Sequence, residues 1–238
     1  MKKLTSRASA ALLIGLLTAG SISTASADTG TDANYALPKT DAPNFYIDVG
    51  AGFLSSIKMR DVFTGLDNMA GGAVAFGWRI NQNNKIQLEA GLYSASDSDT
   101  IYGHKLDADC RIIPVLFSYS YVILSTLDGR AEFRVTPTIG YYSAKLEIST
   151  DEPVSSGLNN RGSGTGSAFA FGVGAGFTWH FTPRSYMDIG YRILRMSSAN
   201  INNLRVYMDN IPGGADHVYF YKKADTVLNL TAAIGLKF

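Results

Sequence analysis

The sequence predicts an all-β chain, an eight-stranded antiparallel up-and-down barrel that spans a membrane, and three observations carry the prediction. Eight segments alternate between an apolar face and a face of glycine, hydroxyl and charge; the connections between them run long, short, long, short; and outward aromatic residues gather at the segment ends. The closing segment, "LTAAIGLKF", shows the pattern most plainly, with Leu228, Leu230, Ala232, Ile234, Leu236 and Phe238 sharing one parity to the last residue. Chain ends usually fray into small polar residues, so an aromatic terminus on an alternating row implies an apolar surrounding.

Ahead of the strands, Lys2, Lys3 and Arg7 precede the apolar run "ASAALLIGLLTAG" and the small-residue stretch "STASA". That order is the one found in a secretory signal peptide, which assigns residues 1–27 to the signal with cleavage between Ala27 and Asp28. The apolar run is shorter than the roughly 20 residues a spanning helix needs. Residues 28–43, "DTGTDANYALPKTDAP", are polar and proline-bounded and read as a disordered periplasmic leader. The barrel is expected to occupy 44–238 as one domain of the 238-residue chain. Cys110, the single cysteine, excludes a disulfide scaffold and is expected at a strand edge. Formal charge is +1 with 17 % charged residues, which leaves no basic stripe for nucleic acid.

Side chains on a strand alternate faces, so each segment sorts by parity. "NFYIDVGAGF" sets Phe45, Ile47, Val49, Ala51 and Phe53 against Tyr46, Asp48 and two glycines. "GAVAFGWRI" gives Val74, Phe76, Trp78 and Ile80; "KIQLEAGLY" gives Ile86, Leu88, Ala90 and Leu92 against Gln87, Glu89, Gly91 and Tyr93. "RIIPVLFSYSY" carries Ile113, Val115, Phe117, Tyr119 and Tyr121, and "AEFRVTPTIGYY" opposes Phe133, Val135, Pro137, Ile139 and Tyr141 to Glu132, Arg134, Thr136, Thr138 and Gly140. "AFAFGVGAGFTWHF" opposes Phe169, Phe171, Val173, Ala175, Phe177, Trp179 and Phe181 to small residues and His180. "YMDIGYRIL" opposes Met187, Ile189, Tyr191 and Ile193 to Tyr186, Asp188, Gly190 and Arg192; the last segment opposes its apolar row to Asp225, Asn229, Thr231 and Lys237.

A soluble sandwich or small lipocalin-like barrel also alternates, and the polar face decides between them. Instead of abundant Lys, Glu and Thr it carries many glycines with a few charges of both signs. Such a face suits the crowded interior of a narrow barrel, which leaves the apolar face to lipid. The connections agree: 55–69, 94–108, 147–164 and 197–222 are long, whereas "NQNNK", "STLDG" and "TPRS" are short. Outer-membrane barrels sort long loops outside and short turns to the periplasm. With the first strand rising from the periplasm, Phe45, Trp78, Tyr119, Tyr121, Phe133, Trp179, Phe181 and Phe238 form a periplasmic aromatic girdle, and Phe53, Tyr141, Phe169 and Phe171 lie at the opposite rim.

"AFGWRINQNNKIQLEAGLY", "IPVLFSYSY", "TPTIGYYSA", "MDIGYRIL" and the terminal "TAAIGLKF" together resemble the small eight-stranded outer-membrane barrels, a family that includes the OmpA-like membrane domain and the opacity-type, porin-like surface proteins. The resemblance covers residues 44–238 and lacks the C-terminal peptidoglycan-binding domain of full-length OmpA-like chains. It implies that the terminal strand ending in Phe238 is read by the barrel-assembly machinery. It also implies a lumen plugged by charged side chains, with Glu89 matching the inward carboxylate of the third strand. Asp48, Glu132, Arg134, Asp188, Arg192 and Lys237 have the parity to join it, and burial requires that they be partnered. A structural plug and a gate that opens when pairs exchange both fit that pattern.

Chemistry is sparse. His104 and His217 fall in loops, and no His-x-Ser-Asn stretch follows Asp216 and His217, so the lipid A deacylase pattern is unmet. "GSGTGS" from Gly162 lacks the Lys-Thr or Lys-Ser of a phosphate loop, and no metal-ligand spacing occurs. No cofactor and no catalytic residue is expected. The loop 197–222 carries Tyr207, Tyr219, Phe220 and Tyr221, which suit either a surface partner or packing over the barrel mouth. The reading is an integral outer-membrane barrel, in contact with outer-membrane lipids and lipopolysaccharide, with a structural or surface-interaction role. A narrow porin is the alternative, and a lipid A-modifying enzyme a third.

Overall fold

The computed structural model describes residues 44–55, 64–101, 104–126, 130–150, 161–201, 220–222 and 224–238. The expected signal peptide and leader, 1–43, and most of the loop 197–222 lie outside them. Eight strands close a barrel: β1 Asn44–Ser55, β2 Asn68–Arg79, β3 Asn84–Ile101, β4 His104–Thr126, β5 Ala131–Thr150, β6 Arg161–His180, β7 Ser185–Met196 and β10 Asp225–Lys237. Each pairs antiparallel with its neighbours, and β1 closes on β10 through a register running from Tyr46↔Lys237 to Ser55↔Leu228. Two short strands, β8 Ala199–Ile201 and β9 Phe220–Lys222, pair with each other outside the barrel sheet.

Every barrel strand keeps the predicted parity. Ile139 is 63 % exposed and Phe169 70 %, and the outward row of each strand is apolar over its membrane portion. An exposed apolar belt of this extent has no place in water; it is the lipid-facing surface of a spanning barrel. At the end of the barrel that carries the short turns, Phe45 stacks on Phe76, Trp78 and Phe238 with ring centroids 5.7, 6.1 and 6.5 Å apart. That cluster straddles the seam where β10 meets β1, and Phe238 N donates to Phe45 O at 3.0 Å. A second cluster joins Phe133, Phe177 and Trp179. Tyr119 and Tyr121 face outward near the short-turn end of β4, where the Tyr119 hydroxyl donates to Asn84 Oδ1, and Phe181 is exposed at the turn after β6.

The strands are longer than the sequence reading allows. The alternation predicts loops over residues 94–108 and 147–164, but β3 and β4 continue to Ile101 and from His104, and β5 and β6 continue to Thr150 and from Arg161. Four neighbouring strands therefore extend as a flap beyond the apolar belt. Along β4 and β5 the parity holds while the polarity inverts. On β4, Leu106, Ala108, Cys110 and Ile112 point inward and are buried, whereas Lys105, Asp107, Asp109 and Arg111 point outward. On β5, Tyr142, Ala144, Leu146 and Ile148 point inward, and Lys145 and Glu147 outward. The outside changes from hydrocarbon to water at Ile113 and Arg111, so the polar face moves outward. Cys110, expected at a strand edge, is buried in the middle of β4. The inner face of β5 and β6 in the flap is covered by β8, which lies so close to β6 that a Cβ at Gly166 would collide with the Asn200 backbone. The Tyr142 hydroxyl, donating to Ser197 O, ties the start of this cover to β5.

Candidate functional site: the barrel lumen

The inward faces of the eight strands converge on one narrow column. Its chemistry changes with height.

At the mouth ringed by the short turns Glu132, fully buried at the start of β5, is the focus. Arg79 Nη2 from the end of β2 and Lys85 Nζ from the start of β3 both donate to its carboxylate, the latter at 2.5 Å. His180 Nε2, from the end of β6, lies 3.2 Å from Glu132 Oε1 but off the hydrogen-bonding direction. Lys237 Nζ is 3.5 Å from His180 Nδ1 and 5.5 Å from the centre of the Tyr186 ring, with no carboxylate in ion-pair range among the described residues. Three strand ends thus deliver basic side chains to one carboxylate, because each short turn brings an inward-facing residue to the rim.

One layer up, Arg134 and Asp188 form a bidentate pair, Nη1 to Oδ2 at 2.5 Å and Nη2 to Oδ1 at 2.6 Å, and Thr178 Oγ1 donates to Asp188 Oδ2 at 2.8 Å. Asp48 has no cation in ion-pair range among the described residues; the Tyr186 hydroxyl donates to its Oδ1 at 2.5 Å. Above this, Arg192 Nη2 donates to both oxygens of Glu89, at 2.6 and 2.8 Å. Paired hydroxyls line the wall beside it, Ser118 with Thr138 and Ser120 with Thr136, each at 2.9 Å. Lumen tyrosines are admitted by glycines on the neighbouring strand: Tyr46 stands across from Gly77, Tyr186 from Gly235 and Tyr93 from Gly71. A Cβ at Gly77 or Gly235 would enter the facing tyrosine ring, so glycine on the inner face makes room for phenol.

Among the seven inward charges picked out by parity, the structure brings together Arg134 with Asp188 and Glu89 with Arg192. It does not join Asp48, Glu132 or Lys237 to one another. Arg79 and Lys85, which the sequence reading passes over, supply the partners of Glu132. Both have inward parity, since Trp78 and Ile86 face out, but beside short turns they resemble ordinary solvated charges. In the polar layers five cations, Arg79, Lys85, Arg134, Arg192 and Lys237, face four carboxylates, Asp48, Glu89, Glu132 and Asp188.

Between the pairs lies a cavity of ≈ 50 Å³, lined by Asp48, Glu89, Arg134, Asp188 and Arg192 among others. At roughly 10–15 Å³ per water position this holds a few waters and no continuous column. Over it the lumen turns apolar. Leu54, Met69, Tyr93, Leu116, Tyr142, Ala170, Leu194 and Val227, one from each barrel strand, are buried in a single cluster with Leu66 of the 3₁₀ turn Thr64–Asp67. Parity predicts an inner face of glycine, hydroxyl and charge throughout, so this apolar ceiling corrects that expectation. Its signal in the sequence is the paired apolar residues, such as Ile112–Ile113, Val115–Leu116 and Ile193–Leu194, where both faces of a strand are apolar at once.

Comparison with known proteins places this architecture. The model of the outer membrane protein beta-barrel domain matches residues 12–231. A major outer membrane protein from Thermus thermophilus superposes with a TM-score of 0.52 at 13 % identity, covering 83 % of this chain and 100 % of that one. The outer membrane protein OprG from Pseudomonas aeruginosa gives 0.50 at 16 % identity, covering 83 % and 96 %. Identities this low establish the shared fold alone. No curated protein matches the sequence.

Proposed function

The chain belongs to the outer-membrane protein β-barrel family, and from that premise we propose that it is a closed barrel whose work is done at the cell surface. It is an integral protein of the outer membrane. The observation that carries the closed reading is the lumen's two-layer filling: a polar layer of ion pairs below and an apolar ceiling of buried side chains above. Eight strands leave an interior that side chains nearly fill. The flap of β3 to β6 then carries an outward polar surface clear of the bilayer, and the loop 197–222 is a second candidate contact for a surface partner. No catalytic role is assigned. His180 is buried against Glu132, and His217, the candidate for lipid A chemistry, lies outside the described residues.

Planar-bilayer recording tests this reading. The purified barrel should give no stable single-channel steps; large, sustained currents would favour the narrow-porin alternative. For assembly, Phe238 at the β1–β10 seam is proposed as the residue read by the barrel-assembly machinery. A chain lacking Phe238 should reach the outer membrane at sharply reduced levels, and normal levels would count against that role.

A further inference from the structure

We infer that the outer wall of the barrel holds a site for one molecule of lipid A, the acylated, phosphorylated base of lipopolysaccharide, with Arg195 as its phosphate ligand. The proposal concerns the lipid face and stands apart from the closed-lumen reading.

The lipid-facing surface is not evenly filled. A groove of ≈ 540 Å³ crosses β4 to β7 and reaches β10, walled by Phe117, Ile139, Phe171, Val173 and Ile193, with the compact ring of Pro137 on its floor. Across four strands it is roughly 14 Å wide at the usual inter-strand spacing, enough for more than one acyl chain side by side. At its outer end the wall changes character: Arg195 on β7 and Thr226 on β10, cross-strand partners, line the same groove. They mark the first polar row above the apolar band, because the next outward residues below them are Ile193 and Leu228.

Arg195 is exposed on the outward face, and its Nη1 lies 3.5 Å from Thr226 Oγ1. It has no carboxylate within ion-pair distance among the described residues. An arginine on the lipid side of a barrel wall is tolerated near the interface and penalised at depth, and a guanidinium presents forked donors suited to a phosphate oxygen pair. A phosphate at this height, with acyl chains running down the groove beneath it, meets the cation, the hydroxyl and the apolar trough together. A multi-acyl lipid whose phosphates sit on sugars at the outer interface has that layout, and the width of the trough favours it over a two-chain phospholipid.

Equilibrium binding of fluorescent lipid A to the folded barrel in detergent micelles, with folding verified by heat-modifiable gel mobility, tests the site. Diphosphoryl lipid A should bind, and Arg195→Gln should weaken it on the order of tenfold, the loss of one charge-assisted contact. Arg195→Lys should retain part of the affinity. Val173→Trp, which fills the trough and leaves the cation, should weaken binding as well, and dephosphorylated lipid A should bind the wild type and Arg195→Gln equally weakly. Unchanged affinity in Arg195→Gln overturns the proposal. Phosphatidylglycerol binding as tightly as lipid A, with the same dependence on Arg195, overturns the choice of ligand.

Discussion

Glu132 accepts from Arg79 and Lys85 and has His180 beside it, and every one of these side chains is buried. The pairs are not a net source of stability merely by existing, since desolvation offsets much of their attraction. What they fix is the penalty for removing a partner. Glu132→Gln strands two buried cations beside the uncompensated Lys237, and it should lower barrel stability by about 3–5 kcal/mol, read as an earlier midpoint when urea unfolding in vesicles is followed by gel mobility. The double variant Glu132→Gln/Lys85→Met should recover part of that loss. A Glu132→Gln midpoint equal to that of the wild type would show that the mouth is hydrated well enough to do without the carboxylate.

For the individual strands, the flap shows what alternation in the sequence does and does not reveal. The sequence displays all eight barrel strands and their outward faces, because Phe45 to Phe53 or Leu228 to Phe238 meet one solvent on each side throughout. It conceals the upper halves of β3 to β6. Reading "HKLDADCRI", the eye finds Lys, Asp and Asp where lipid-facing residues should be and ends the strand, although Leu106, Ala108, Cys110 and Ile112 preserve the period. Pairings within the lumen are equally hidden: parity places Glu89 and Arg192 on the inner wall, but only the closed register brings β3 and β7 face to face across it. The flap also makes a separable prediction. Leu146→Asp places an unpaired carboxylate in its apolar inner face, which burial opposes. Trypsin should then cut at Lys105, Arg111 or Lys145 while heat-modifiable mobility of the barrel is retained. Loss of that mobility would mean that flap and barrel form one cooperative unit.

Across the whole molecule, the two fillings of the lumen act in series, and a series arrangement behaves differently from a gate. If Glu89 and Arg192 alone barred the pore, removing them would open it. Here the Glu89–Arg192 pair lies beneath Tyr93, Leu116, Leu194 and their neighbours, which meet from all eight strands and are held by packing instead of charge. An ion that passed the pairs would still face an apolar constriction, which excludes it because a bare charge is expensive to bury. Glu89→Ala/Arg192→Ala should therefore remain without stable currents in planar bilayers. Adding Tyr93→Ala and Leu116→Ala, so that a wet path runs through both layers, should produce discrete channels. Steps from the Glu89→Ala/Arg192→Ala protein alone would show that the apolar layer yields to water unaided, leaving the ion pair as the barrier that matters.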